Sequence, residues 1–132
     1  EVPLSVNRWL EPLPVAAGAA ALAAPAAESL GRVRLAGQIM DSKCFFGVMR
    51  PGRGKTHKAC AALCIRGGIP PSFWARDARG RESVLLMTDG GGAPLGEAIL
   101  PLVADPVTAE GELVRIGDLL QFRADAADYR RV

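Results

Sequence analysis

Apolar and polar positions alternate from Arg32 onward. In "RVRLAGQIMD", Val33, Leu35, Gly37, Ile39 and Asp41 fall on one side of an extended backbone and Arg34, Ala36, Gln38 and Met40 on the other, the period of two of a half-buried strand. Gly37 within it predicts a bulge or a sharp coil, a device by which small barrels turn corners. "SFWARDARGRESVLLMT" predicts a hairpin, Ser72 to Arg76 and Glu82 to Thr88, turning at "DARG". A second hairpin is expected from Val107 to Leu113 and Leu119 to Arg123, turning at Gly117 and Asp118. Between the two lies "EAILPLVA", a short apolar element that Pro101 makes a poor central strand. "AADYRRV" reads as a polar tail with one helical turn.

One segment follows the helical period instead. "THKACAALCIR" begins at Thr56, a good N-cap residue, and stops at Gly67 and Gly68 ahead of Pro70 and Pro71. Short strands with one helix between the first and second suit a mainly β fold, a small OB-like antiparallel barrel of five or six strands whose helix sits in a Cys-rich insertion. An open α+β sandwich is the alternative. The expected organisation is an arm or tether over residues 1–31, the barrel over 32–125 with its insertion at 42–71, and the tail at 126–132.

Composition sharpens this picture. A chain of 132 residues suffices for one modest core, and aromatics make up only 5% of it. Fifteen glycines and ten prolines favour short strands and turns. A net charge of +2 is too small for a nucleic-acid binder, so Phe45, Phe46, Phe73 and Trp74 are read as core and lid rather than as base-stacking platforms. The charge is unevenly placed, however. Ser42 to Arg76 holds no acidic residue but carries Lys43, Arg50, Arg53, Lys55, Lys58, Arg66 and Arg76, a basic face for an acidic protein partner or anionic lipid. The Ala/Pro-rich "LPVAAGAAALAAPAAES" resembles the apolar and cleavage regions of an export signal, or serves as a linker; Pro14 and Pro25 argue against a membrane span. Trp9 and Leu10 in the arm would lie against a partner.

The candidate chemistry is concentrated in "GRGKTHKACAALCIRGG", Gly52 to Gly68. "GRGKT" looks like the end of a phosphate-binding loop, but Met49 stands where such a loop needs its first glycine, so no nucleotide is expected. His57, Cys60 and Cys64 fall at i, i+3 and i+7, within roughly 60° on one helical face. Cys44, at the end of the first strand, completes the set. Three cysteines and one histidine make a tetrahedral site for one zinc or copper ion, with Met40 and Met49 as candidate soft ligands for copper. The same cysteines could instead form one disulfide, Cys44 with Cys60 or Cys64, leaving an odd thiol. The helix N-terminus with Arg53, Lys55 and Lys58 predicts a lowered pKa for Cys60.

Gly37 to Pro71 resembles a signature of uncharacterised bacterial proteins, exported or membrane-attached, in which an Asp-x-x-Cys, a Pro-Gly loop, a His-x2-Cys-x3-Cys helix and a Gly-Gly-Ile-Pro exit occur together. The later "GELVRIGDLLQF" resembles their closing hairpin. The resemblance brings no activity with it, but it implies that Cys44, His57, Cys60 and Cys64 act as one constellation. The expected function is a non-enzymatic accessory domain, periplasmic or exported and tethered through its N-terminal region. Its cluster forms a disulfide, binds a metal, or both, beside a membrane or respiratory complex. The alternatives are a disulfide-stapled interaction module docking through Lys43, Arg50, Arg53, Lys55, Lys58 and Arg66, and a thiol redox enzyme.

Overall fold

The computed structural model describes residues 25–77 and 79–132; the expected arm lies outside the described residues up to position 24. Six strands, β1 (Ala27–Asp41), β2 (Pro71–Arg76), β3 (Glu82–Thr88), β4 (Pro106–Ile116), β5 (Leu119–Arg123) and β6 (Tyr129–Arg131), carry the fold. Two helices, α1 (Ser42–Phe46) and α2 (Lys58–Arg66), lie in the insertion between β1 and β2. The pairing β1-β2-β3-β5-β4 returns from β4 to β1 and closes a five-stranded OB-like barrel, to which β6 adds a short ladder on β4.

Closure depends on the length of β1. Its residues from Ala27 to Gln38 pair with β4 and those from Gly37 to Asp41 with β2, so that Gly37 is paired to both, opposite Ala75 and Val107. A Cβ at Gly37 would lie 2.1 Å from the Trp74 carbonyl oxygen. Glycine is therefore required where one strand serves two neighbours, which is the corner its place in the alternation suggested. The register shift itself lies elsewhere, between Ser29 and Gly31.

Three local readings change in the tertiary structure. β3 and β5 run parallel, whereas every other barrel pairing is antiparallel. The cause is the apolar "EAILPLVA" segment, which forms a 3-10 helix over Gly96–Leu102 rather than a strand and carries the chain across the barrel end. Ala104 N–H then bonds Ile39 O at 2.9 Å, pinning this crossover to β1. The C-terminal tail forms one 3-10 turn, Ala126–Asp128, and then a strand, because Tyr129 is drawn into the core. β1 also begins at Ala27, ahead of the alternation at Arg32.

Inside the barrel, Phe73 stacks on Phe122 at 5.8 Å between ring centroids, and Tyr129 meets both edge-on at 6.1 and 6.2 Å. Ile39, Leu85, Met87, Ile99, Val103 and Val107 complete this apolar cluster. Each fully buried side chain of this size contributes about 1.5–3 kcal/mol relative to exposure. From α2 only Ala61 and Ile65 join the cluster, and the helix lies against the Gly96–Leu102 crossover. No helix among the described residues is long and apolar enough to cross a membrane.

Candidate metal centre

Asp41, the last residue of β1, is where the barrel passes into the insertion. Its backbone is extended and its carboxylate caps α1, Oδ1 accepting the Cys44 N–H at 2.6 Å. This is the N-cap arrangement, in which an aspartate satisfies the free N–H three residues on. The same carboxylate is fully buried and accepts a second hydrogen bond at Oδ2 from His57 Nε2, at 2.9 Å. An ionised carboxylate only accepts, so Nε2 carries a proton, and in the neutral imidazole Nδ1 is then the lone-pair nitrogen. Burial pushes the Asp41 pKa up, but the Cys44 N–H and the His57 imidazole outweigh it and hold the carboxyl below its ordinary value.

Between α1 and the 3-10 turn Lys55–His57 the chain must fold back closely on itself. Gly52 permits this, since a Cβ there would lie 2.8 Å from the Cys44 carbonyl oxygen. The glycines of "GRGKT" thus serve the packing of the insertion. Thr56 does not cap α2: the first turn is 3-10, the N-cap position falls to His57, and no side chain caps the helix. Thr56 is displaced because Lys55–His57 tightens to seat His57 against Asp41. The C-terminal stop is as expected, with Gly67 N–H bonding Leu63 O and Gly68 N–H bonding Ile65 O.

α2 brings its two cysteines to Cys44. Cys44 Sγ lies 3.8 Å from Cys60 Sγ and 4.0 Å from Cys64 Sγ. All three cysteines are free, so the expected disulfide from Cys44 to Cys60 or Cys64 is not formed. A bonded pair would be about 2.05 Å apart. Two thiolates on one tetrahedral zinc, each about 2.3 Å from the ion, stand about 3.75 Å apart, close to the spacing found here. A ring nitrogen of His57 and the sulfurs of Cys44 and Cys60 lie within 4.8 Å of one another, as do an Asp41 carboxylate oxygen and the sulfurs of Cys44 and Cys64. The cluster is therefore close enough to bind a metal ion. Cys44 and His57 are buried, while Cys60 and Cys64 are partly open to solvent.

Burial, then the Asp41 carboxylate and the neighbouring thiols, push the Cys44 pKa up to about 12 from an ordinary 9.0. The Cys64 thiol is likewise raised, chiefly by burial. Two of the three basic side chains expected to favour thiolate beside Cys60, Lys58 and Arg53, are engaged elsewhere. Lys58 pairs with Asp105 at 3.0 Å and Arg53 lies over the Trp74 ring at 4.3 Å. Arg66 pairs with Glu97 at 3.5 Å, and Arg50 bonds the carbonyls of Gly47 and Met49. Among the described residues, Lys43, Arg50, Arg53 and Lys55 form no ion pair. Met40 is buried in β1 outside the barrel's apolar cluster, and Met49 is about half exposed in the loop after α1. Of the aromatic residues, Phe73 is core, Trp74 is covered by Arg53 and Arg76, and Phe45 and Phe46 meet edge-on.

Asp41 is the site residue that sequence reasoning undervalued. Its signal was the Asp-x-x-Cys spacing at a strand end, which is an N-cap spacing; its bond to His57 depends on a tertiary meeting that spacing does not encode. Comparison with protein-family models, curated proteins and solved structures finds no match to this chain.

Proposed function

We propose that the insertion binds one thiophilic metal ion through Cys44, His57, Cys60 and Cys64, with Asp41 orienting the imidazole, and that the domain is a non-enzymatic accessory module. The observation that carries this reading is the placement of Cys44 Sγ at 3.8 and 4.0 Å from the two helix sulfurs, with His57 held by a buried carboxylate. A carboxylate on the far nitrogen of a ligating imidazole is the usual outer support of zinc sites. The four-ligand set favours zinc; copper as Cu(I), which is content with fewer ligands, is the second choice.

One observation supports binding over thiol catalysis. A cleft of about 470 Å³ beside α2, walled by Ile65, Pro71, Leu86, Leu95 and Gln121, includes none of the five cluster residues in its lining. The signature and the Ala/Pro-rich arm support placing the domain outside the cytoplasm, tethered at a membrane beside the complex it serves.

Metal analysis of protein purified anaerobically with thiol reductant tests the reading. The expected result is about one zinc or copper ion per chain, lost in Cys44→Ser. A folded wild-type protein that retains neither ion after incubation with each would overturn it.

A further inference from the structure

The end of α1 and the loop that follows it carry apolar side chains that the described residues leave largely open to solvent. Phe46 is 67% exposed, Val48 99% and Met49 48%. They are consecutive or nearly so, at a protruding turn rather than along a groove. The same stretch of chain carries the exposed cations Lys43, Arg50, Arg53 and Lys55, with no acidic residue anywhere between Ser42 and Arg76.

Part of the turn's backbone is already provided for. Arg50 Nη1 donates to the carbonyls of Gly47 at 2.7 Å and Met49 at 2.8 Å, and Gly47 N–H bonds Lys43 O at 2.9 Å. Entering an apolar medium costs several kcal/mol for each backbone group left without a partner. With the Gly47 and Met49 carbonyls and the Gly47 N–H bonded internally, the tip avoids part of that cost. Exposed apolar side chains in a stretch rich in cations and free of acidic residues fit the interface of an anionic bilayer. Lys43 and Lys55 would meet phosphate headgroups there.

We propose that the Phe46–Arg50 tip is a membrane-docking element, seating Phe46, Val48 and Met49 in the interface of an anionic phospholipid bilayer while Lys43 and Lys55 contact headgroups. This deepens the membrane placement proposed above and stands apart from the metal centre.

Flotation of the full chain with vesicles tests it, using phosphatidylcholine alone and phosphatidylcholine mixed with phosphatidylglycerol. Binding is expected to the mixed vesicles only, and to weaken at high salt. Val48→Asp changes a side chain that touches almost nothing, so the fold and the metal content should persist while vesicle binding falls about tenfold or more. Lys43→Ser with Lys55→Ser should weaken binding about tenfold without changing its apolar component. Equal binding of wild type and Val48→Asp would overturn the proposal and assign attachment to another segment. Failure to float with either vesicle, with capture on immobilised polyglutamate instead, would overturn it in favour of an acidic protein partner. Loss of metal in Cys44→Ser is read separately, so failure of the metal reading leaves this test intact.

Discussion

The barrel and its insertion are held together by different forces. Barrel residues such as Ile39, Phe73, Val107 and Phe122 are completely buried, and their strands are tied by continuous ladders. In the insertion only Ala61 and Ile65 reach the barrel's apolar cluster, while Phe46, Val48, Met49 and Leu63 face solvent. What fastens the insertion is polar: Asp41 to Cys44 and His57, Lys58 to Asp105, and the sulfur cluster. Apolar burial is additive and needs no ion, so the barrel should fold by itself. Polar pins and free thiols contribute little net stability in water, so the insertion's order should depend on its ligand. The helical insertion should thus be the part of the molecule that opens first.

Removing the barrel's aromatic centre should show the largest effect. Phe122→Ala deletes a ring packed against Phe73 and Tyr129, and a loss of about 3–5 kcal/mol is expected in denaturant unfolding. Barrel and insertion should unfold together in this variant; an unchanged midpoint would mean the barrel is not the stabilising region. Next in size is Asp41→Asn, which retains an oxygen for the Cys44 N–H but weakens the support of His57. Metal affinity, measured by competition with a chromophoric chelator, should fall about 10- to 100-fold. Stability of the metal-free protein should change far less, and equal losses in both would mean that Asp41 is merely structural.

A smaller effect should mark the junction between the two regions. Asp105 joins α2 to β6 through Lys58 at 3.0 Å and Arg131 at 2.9 Å, and these bonds to Lys58 and Arg131 hold its carboxyl below the ordinary 3.8. Since the folded value lies below the unfolded one, the contribution is complete above about pH 4 and is lost as pH falls through the folded pKa. Lys58 and Arg131 are partly exposed, which limits the amount to about 1 kcal/mol. Asp105→Asn should remove that much at pH 7 and flatten the acid limb of the stability curve. The smallest effect is expected from Tyr129→Phe, because the Tyr129 hydroxyl is buried with no hydrogen-bond partner among the described residues. Deleting it should leave stability unchanged or raise it by up to about 1 kcal/mol. A clear loss would reveal an unrecognised polar partner for the C-terminal strand.

Much of this was legible in the order of residues, because its causes are local. Alternation located the Ser72–Arg76 and Glu82–Thr88 hairpin almost to the residue, since a strand with one buried face must repeat every two positions. Helical spacing put His57, Cys60 and Cys64 on one face whatever α2 packs against. The glycine pair closing α2 was an equally local signal, whereas Cys44, expected at the end of the first strand, lies one turn further on in α1.

Only the tertiary structure decided the rest. The parallel pairing of β3 with β5 follows from where the Gly96–Leu102 crossover lands, and β6 exists because Tyr129 finds a place beside Phe73 and Phe122. The bond between Asp41 and His57 joins residues that share no local period, and the distance among the three sulfurs depends on how α2 is set against α1. Sequence by itself determined which residues could meet, because periodicity is a property of one segment. Whether Cys44 meets its partners as a disulfide or as free thiols spaced for an ion was decided by the angle and depth at which two segments pack, which no single segment encodes.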